Sequence, residues 1–308
     1  MKPDHDCGLP PGVTGTVCTV GTFDGVHRGH RLVLERLAER ARARELPSVL
    51  VTFDPHPLEI VNPAAAPLLL TLGLEKSEVL AESPVDYVVV LPFTRALAAL
   101  EAAEFVDLIL RGKLGVRELL IGHDHGLGRA RSADADVLRA LGAARGFGVE
   151  TVGAVLGSDG RAISSTTIRR AVAGGDLARA ADGLGRPYST SGLVQRGDGR
   201  GKSLGFPTLN LGPPPTRKLL PPEGVYAVRA QTPVGAFGGM LNLGPRPTVG
   251  DAVPSLEVHC FDLADELYGA HIRVDFVKRL RDTQRFEGLE QLRAQLARDA
   301  VSARAAIQ

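Results

Sequence analysis

Residues 17–45 read VCTVGTFDGVHRGHRLVLERLAERARARE, and this stretch decides the fold. Its opening, residues 17–20, is a short apolar run suited to a strand buried on both faces. From 28 to 45, Leu34, Leu37, Ala38 and Ala41 recur at helical spacing. Glu35, Arg36, Glu39, Arg40, Arg42 and Arg44 are then expected to form the solvated face. A strand handed to a helix through a glycine-containing turn is the first half of a β-α unit. The same alternation continues, with apolar strands expected at 48–53, 87–91, 118–121 and 149–155. It predicts an α/β domain with a parallel sheet and helices on both faces.

After Gly183 the helical periodicity disappears for roughly a hundred residues, replaced by Gly/Pro-punctuated short strands. Strands are expected at 189–195, 224–230, 236–242, 255–261 and 271–280, the texture of a small antiparallel β-barrel. A C-terminal helix follows, with Leu289, Leu292 and Leu296 on one stripe. At 308 residues the chain is long for one compact domain. The change of texture divides it into domains 1–183 and 184–308.

Bulk composition limits the function. A formal net charge of +1 gives no electrostatic footprint for nucleic acid or an anionic membrane. Phosphate chemistry, if present, must come from local sites. Cys7, Cys18 and Cys260 are odd in number and far apart, so they offer neither a disulfide framework nor a cysteine zinc site. The first residues are polar and Pro/Gly-rich, and no apolar run reaches the length of a membrane helix. The expected location is the cytoplasm, with small-molecule partners, no nucleic acid and no membrane; the oligomeric state is left open.

The turn 21-GTFDGVHRGH-30 carries the first chemistry. Gly21 and Gly25 permit a sharp turn and close approach to a ligand. The helix start beyond them offers unpaired N–H donors and a positive dipole end to an anion. His27 and His30, three apart, would share one side of the first turn and donate to phosphate oxygens. Capping of the helix is the plainer role for such a pair. Asp54-Pro55-His56-Pro57 and Gly122-His123-Asp124-His125 follow later strands, at the edge where open α/β sheets bind ligands. Ser164-Ser165-Thr166-Thr167-Ile168-Arg169 precedes a helix; its hydroxyls can cap that helix or bind phosphate, and Arg169 can fork onto phosphate. A histidine-built metal hydrolase, using His27, His30, His56, His123 and His125, is the competing reading, though no pair has HExxH spacing.

The segment 197-GDGRGKSLGFPTLNL-211 is not a P-loop. G-x-x-x-x-G-K-S would need glycine where Arg196 stands, and Pro207 disfavours the helix that must follow.

Taken together, these strings resemble the bacterial bifunctional riboflavin kinase/FMN adenylyltransferase (FAD synthetase) family. The turn is similar to its G-x-F-D-G-V-H-x-G-H signature, 164–169 to its S-S-T-x-I-R motif, and 201–210 to its G-x-x-L-G-F-P-T-x-N motif. Residues 222–228, 240–250 and 256–269 continue the likeness. It implies a Rossmann-like nucleotidyltransferase domain followed by a riboflavin kinase barrel. The implied substrates are ATP, riboflavin and FMN, the products FMN and FAD, and the ion Mg²⁺. It also implies site residues. In the adenylyl site these are Gly21, Phe23, Asp24, His27, His30, Asp124, Ser165, Thr166 and Arg169. In the kinase site Gly201, Lys202, Gly205, Pro207, Thr208 and Asn210 bind ATP or flavin, Thr208 and Asn210 hold Mg²⁺, and Glu257 is the base. One loop departs from the family pattern: 122-GHDHGLGRARSAD-134 has Leu127 for an aromatic and Ala133 for a glycine. Where that loop matters, the alternatives are a kinase with weak or lost adenylyl transfer, or a non-catalytic flavin-binding regulator.

Overall fold

The computed structural model describes residues 9–10, 12–123, 126–129, 132–197, 200–245 and 254–307. They fall into two compact units. One comprises residues 1–68 and 76–164, the other 69–75 and 165–308.

The first unit is built on a five-stranded sheet ordered β3-β2-β1-β4-β5, parallel throughout. Its strands are β1 (Thr16–Val20), β2 (Ser48–Asp54), β3 (Tyr87–Pro92), β4 (Val116–Gly122) and β5 (Gly148–Val152). The longest helix on it is α1 (Arg28–Ala43), followed in chain order by α2 (Pro57–Val61), α3 (Gly73–Ala81), α4 (Arg95–Ala99), α5 (Ala102–Phe105) and α6 (Ala135–Arg145). Only the beginning of α3, through Glu75, belongs to the second unit. Every residue of β1 is buried, as a central strand covered on both faces must be. The chain runs outward from β1 to β2 and β3, then returns to the other side of β1 for β4. This reversal places a crevice at the carboxyl ends of β1 and β4.

Helix α1 buries Val33, Leu34, Leu37, Ala38 and Ala41, the stripe its periodicity predicts. Its charged face is only partly solvated, a correction to the sequence reading. Arg40 and Arg44 both grip the Glu118 carboxylate, Arg40 Nη2 at 2.6 Å, and that carboxylate is almost fully buried in β4. Arg36 meets Glu150 at 2.8 Å.

The second unit is a closed antiparallel barrel ordered β10-β7-β6-β11-β8-β9. It follows α7 (Ser165–Ala173) and α8 (Leu177–Leu184) and contains β6 (Tyr188–Gln195), the one-turn α9 (Arg200–Ser203), β7 (Leu209–Leu211), β8 (Gly224–Thr232), β9 (Gly235–Pro245), β10 (Pro254–Cys260) and β11 (His271–Arg281). Tyr188, Tyr226 and Phe276 are the bulkiest core side chains, with Phe276 edge-on to Tyr226 at 5.2 Å. Strand β7 was not expected from sequence, being three residues long. The C-terminal helix α10 (Leu289–Ile307) packs through Leu296, Ala300, Ala303 and Ile307, while Leu289 is 70% exposed and lies off the expected stripe. Arg281 anchors α10 by a forked bond to buried Asp299, 2.9 and 2.6 Å.

Residues 69–75 pack as part of this unit through a fully buried lysine. Lys218 Nζ donates to the Leu70 carbonyl at 2.7 Å, the Ser189 carbonyl at 2.8 Å and Glu75 Oε2 at 2.7 Å. All three ammonium hydrogens thus have acceptors, as a buried charge requires. The other Glu75 oxygen accepts from the Ser191 N–H at 2.9 Å.

Candidate active sites

In the first unit, the crevice residues come from the turn after β1. The Gly21 N–H donates to the Val51 carbonyl at 3.0 Å, continuing the β1–β2 pairing into the turn. The backbone then enters the left-handed region at Phe23 (φ 47°), Gly25 (φ 79°) and Val26 (φ 41°). For Phe23 and Val26 this costs about 1–3 kcal/mol each, strain that persists only where the surroundings impose it. Here both side chains are buried in the core beside Leu34 and Leu37. Gly21 is required by the same packing, since a β-carbon there would lie 2.9 Å from the Phe23 ring.

The turn delivers His27 as the N-cap of α1. Its Nδ1 accepts from the His30 N–H at 3.2 Å. That bond fixes the neutral tautomer, leaving the proton on Nε2 as a donor. The two rings stack with centroids 3.6 Å apart and 16° between planes. Gly29 leaves room for the pair, because a β-carbon there would sit 3.1 Å from the His27 ring. Phe23 flanks His30 at 4.7 Å. Burial, then the neighbouring His27 and Lys76, holds the His30 imidazole well below its ordinary pKa, so it is neutral at pH 7. Its Nδ1 is buried with no hydrogen-bond partner among the described residues. No acidic residue lies in the first turn of α1. The helix start, its dipole and a neutral ring N–H are chemistry suited to an anion.

Lys76, which sequence reading missed, stands at the same edge. Its Nζ donates to the Thr22 carbonyl at 2.6 Å and to Thr52 Oγ1 at 2.7 Å. Burial lowers its pKa to about 8, against the pull of Asp24 and Asp54. Nothing in the string Leu74-Glu75-Lys76 marks that lysine in the sequence.

The structure brings Gly21, Phe23, Asp24, His27 and His30 into one turn. Asp124 and His125 lie outside the described residues. Ser165, Thr166 and Arg169 lie in the first turns of α7, within the second unit. His56 caps α2: its Nδ1 accepts from the Leu58 N–H at 3.2 Å, and Glu59 closes the capping box. Among the described residues no group of three or more His, Cys, Asp or Glu is gathered to hold a metal ion. The departures at Leu127 and Ala133 have a core explanation. Their backbones pair at 3.0 and 3.1 Å, and both side chains are buried against Ala102, Phe105 and Leu138. Leu127 therefore packs in the hydrophobic core of the first unit.

In the second unit, the loop before β7 folds back on itself. The Phe206 N–H donates to the Gly201 carbonyl at 2.9 Å, and a β-carbon on Gly201 would lie 2.4 Å from the Phe206 carbonyl oxygen. Gly205 takes φ +84°, a conformation that favours glycine. Lys202 is exposed and meets Glu266 at 3.7 Å. Strand register then sets Asn210 directly opposite Glu257, which faces Asn242 on its other side; Gln195 pairs with Asn210. Paired residues share a sheet face, so these four form one polar row. Leu256, Val258 and Cys260 of β10 point into the barrel core, as the alternation predicts. His259, two residues beyond Glu257 on the same face, reaches the Pro207 carbonyl at 2.7 Å and ties the loop to β10. Sequence reading gave His259 no role.

The Asn210 amide packs closely against Gly197. It makes a long contact to the Thr208 carbonyl at 3.5 Å, and a β-carbon on Gly197 would meet its Nδ2 at 2.2 Å. Across the strands the Asn210 amide thus stands opposite the Glu257 carboxylate, both bearing hard oxygens of the kind a divalent cation takes.

Comparison with known proteins agrees with this geometry. Residues 10–167 match the family described as FAD synthetase, and residues 184–307 match riboflavin kinase. The bifunctional riboflavin kinase/FMN adenylyltransferase of Escherichia coli (strain K12) is 43% identical over 294 residues, covering 94% of this chain and 92% of that protein. The Pseudomonas fluorescens protein of that description is 42% identical, covering 99% and 94%. That of Bacillus subtilis (strain 168) is 33% identical, covering 92% and 90%. A crystal structure described as a macrolide-efflux protein from Streptococcus pneumoniae superposes with a TM-score of 0.85 at 29% identity, covering 97% and 96%. Among the described residues no helix is long and apolar enough to cross a membrane.

Proposed function

The chain belongs to the bifunctional riboflavin kinase/FMN adenylyltransferase family, and from that premise we propose how its own residues divide the work. The barrel unit phosphorylates riboflavin to FMN with ATP, and the α/β unit adenylylates FMN to FAD with release of pyrophosphate. The observation that carries the division is that the stacked His27–His30 pair and the Glu257–Asn210 pair lie in different compact units. The working boundary between the activities is residue 183/184.

In the barrel, Glu257 takes the proton of the riboflavin 5′-hydroxyl as that oxygen attacks the γ-phosphorus and ADP departs. Gly201, Lys202, Gly205 and Pro207 shape the loop that wraps ATP. Thr208 and Asn210 would hold Mg²⁺, which when bound offsets phosphate charge. In the α/β unit, an FMN phosphate oxygen attacks the ATP α-phosphorus. The His27 Nε2–H, His30 and the α1 backbone donors stabilise charge growing on the α-phosphate and on leaving pyrophosphate. Gly21, Phe23 and Asp24 form the turn that aims them. Asp124, Ser165, Thr166 and Arg169 join this assignment on their motifs alone. Neither step needs a covalent enzyme intermediate; positioning and charge stabilisation suffice. ATP as the phosphoryl and adenylyl donor is consistent with a cytoplasmic setting.

The test uses both activities of one preparation. Glu257→Gln should abolish FMN formation while FAD formation from supplied FMN survives. His27→Ala combined with His30→Ala should do the reverse. Equal loss of both activities in either variant would defeat the two-site assignment.

A further inference from the structure

We propose that Lys76 is a positioning residue of the adenylyl-transfer site, its ammonium holding the Thr22 carbonyl against Thr52 of β2. The proposal rests on the reading of that site given above.

Three bonds meet at this point. Lys76 Nζ donates to the Thr22 carbonyl at 2.6 Å and to Thr52 Oγ1 at 2.7 Å, and Thr52 Oγ1 donates to the same Thr22 carbonyl at 3.1 Å. The ammonium therefore ties the start of the strained turn to the carboxyl end of β2. Beyond the Thr22 carbonyl the chain passes through the left-handed residues Phe23, Gly25 and Val26 to the capping His27. A turn held in costly dihedrals needs fixed ends, and Lys76 fixes one of them.

Charge gives the lysine a second task. Asp24 and Asp54 act on Lys76, and Lys76 acts on His30. Two carboxylates beside an anion site repel a polyphosphate, and an adjacent ammonium offsets them. The same ammonium helps keep His30 neutral.

A mere staple is distinguishable from a positioning residue. The folded pKa of about 8 lies below the ordinary lysine value, so the charged form costs the fold stability. That cost is present below about pH 8 and fades as pH rises toward the unfolded value. Lys76→Met removes the charge yet leaves the Thr52–Thr22 bond, so the Thr22 carbonyl keeps a donor. This variant should melt at or above the parent temperature at pH 7.

The experiment measures FAD formation from FMN and ATP, riboflavin phosphorylation, and melting temperature. Parent, Lys76→Arg and Lys76→Met proteins are followed from about pH 6 to about pH 10. In the parent, kcat for FAD formation should fall on the alkaline side with a midpoint near 8, as Lys76 loses its proton. Lys76→Arg should keep activity and move that limb to higher pH, since guanidinium does not titrate there. Lys76→Met should lower kcat by about a hundredfold, the scale of a misplaced reacting group. Its remaining activity should show the acidic limb moved upward as His30 regains basicity, with riboflavin phosphorylation unchanged. Undiminished FAD formation in Lys76→Met overturns the proposal. So does a loss shared with stability or with kinase activity, or an unmoved alkaline limb in Lys76→Arg. Failure of the underlying reading would show separately, as intact FAD formation in the His27/His30 double variant.

Discussion

His27 shows how much one side chain can be asked to do. Its Nδ1 closes the first turn of α1, and the proposed function asks its Nε2–H to donate to phosphate as well. The two roles separate by substitution. His27→Ala should cost about 1 kcal/mol of stability, the usual worth of a cap, together with FAD formation. His27→Asn can still cap the helix through its side-chain oxygen and should melt like the parent, yet FAD formation should remain low. Chemical denaturation paired with the FAD assay reads both effects; an active Asn variant would leave His27 with capping alone. The histidine pair was legible in the sequence because a turn of this shape needs glycines at set places. Lys76 and His259 were not. Each is a lone residue whose partners stand far off in the chain: Thr22 is 54 residues from Lys76, and Pro207 is 52 from His259.

At the scale of elements, the periodic segments were readable and the compensated ones were not. Helix α1 and strands β1, β2 and β3 follow from apolar spacing alone. The charged face of α1 deceived, because its arginines serve a carboxylate buried in β4, 78 residues from Arg40. Strand β7 was hidden by its shortness, although the motif containing it was recognised. The loop before it makes a sharp test. Gly201→Ala would put a β-carbon against the Phe206 carbonyl oxygen at 2.4 Å, a backbone contact that no rotamer can relieve. The loop must then open, so riboflavin phosphorylation should fall by about a hundredfold while FAD formation from FMN holds. A fully active Gly201→Ala kinase would mean that the closed loop is not the working one.

For the molecule as a whole, the change of texture near residue 184 marks where strand-rich sequence begins, whereas the compact units part at 164/165. It gives no hint that the barrel unit also owns residues 69–75. Glu75 and Lys218 are 143 residues apart, and no local pattern announces a charge pair buried across that distance. The consequence concerns anyone dissecting the protein. The unit that packs together is discontinuous in sequence, so a fragment spanning 184–308 leaves buried Lys218 without Glu75 and the Leu70 carbonyl. Removing one partner of a buried pair costs about 3–5 kcal/mol, so the fragment should inactivate at a lower temperature than the intact chain. Lys218→Met should then have opposite signs in the two backgrounds, raising the melting temperature of the fragment and lowering that of the full chain. The same sign in both would mean the excised barrel finds that lysine another acceptor. Until then, a weak kinase obtained from the excised piece speaks of the cut, and says little about the enzyme.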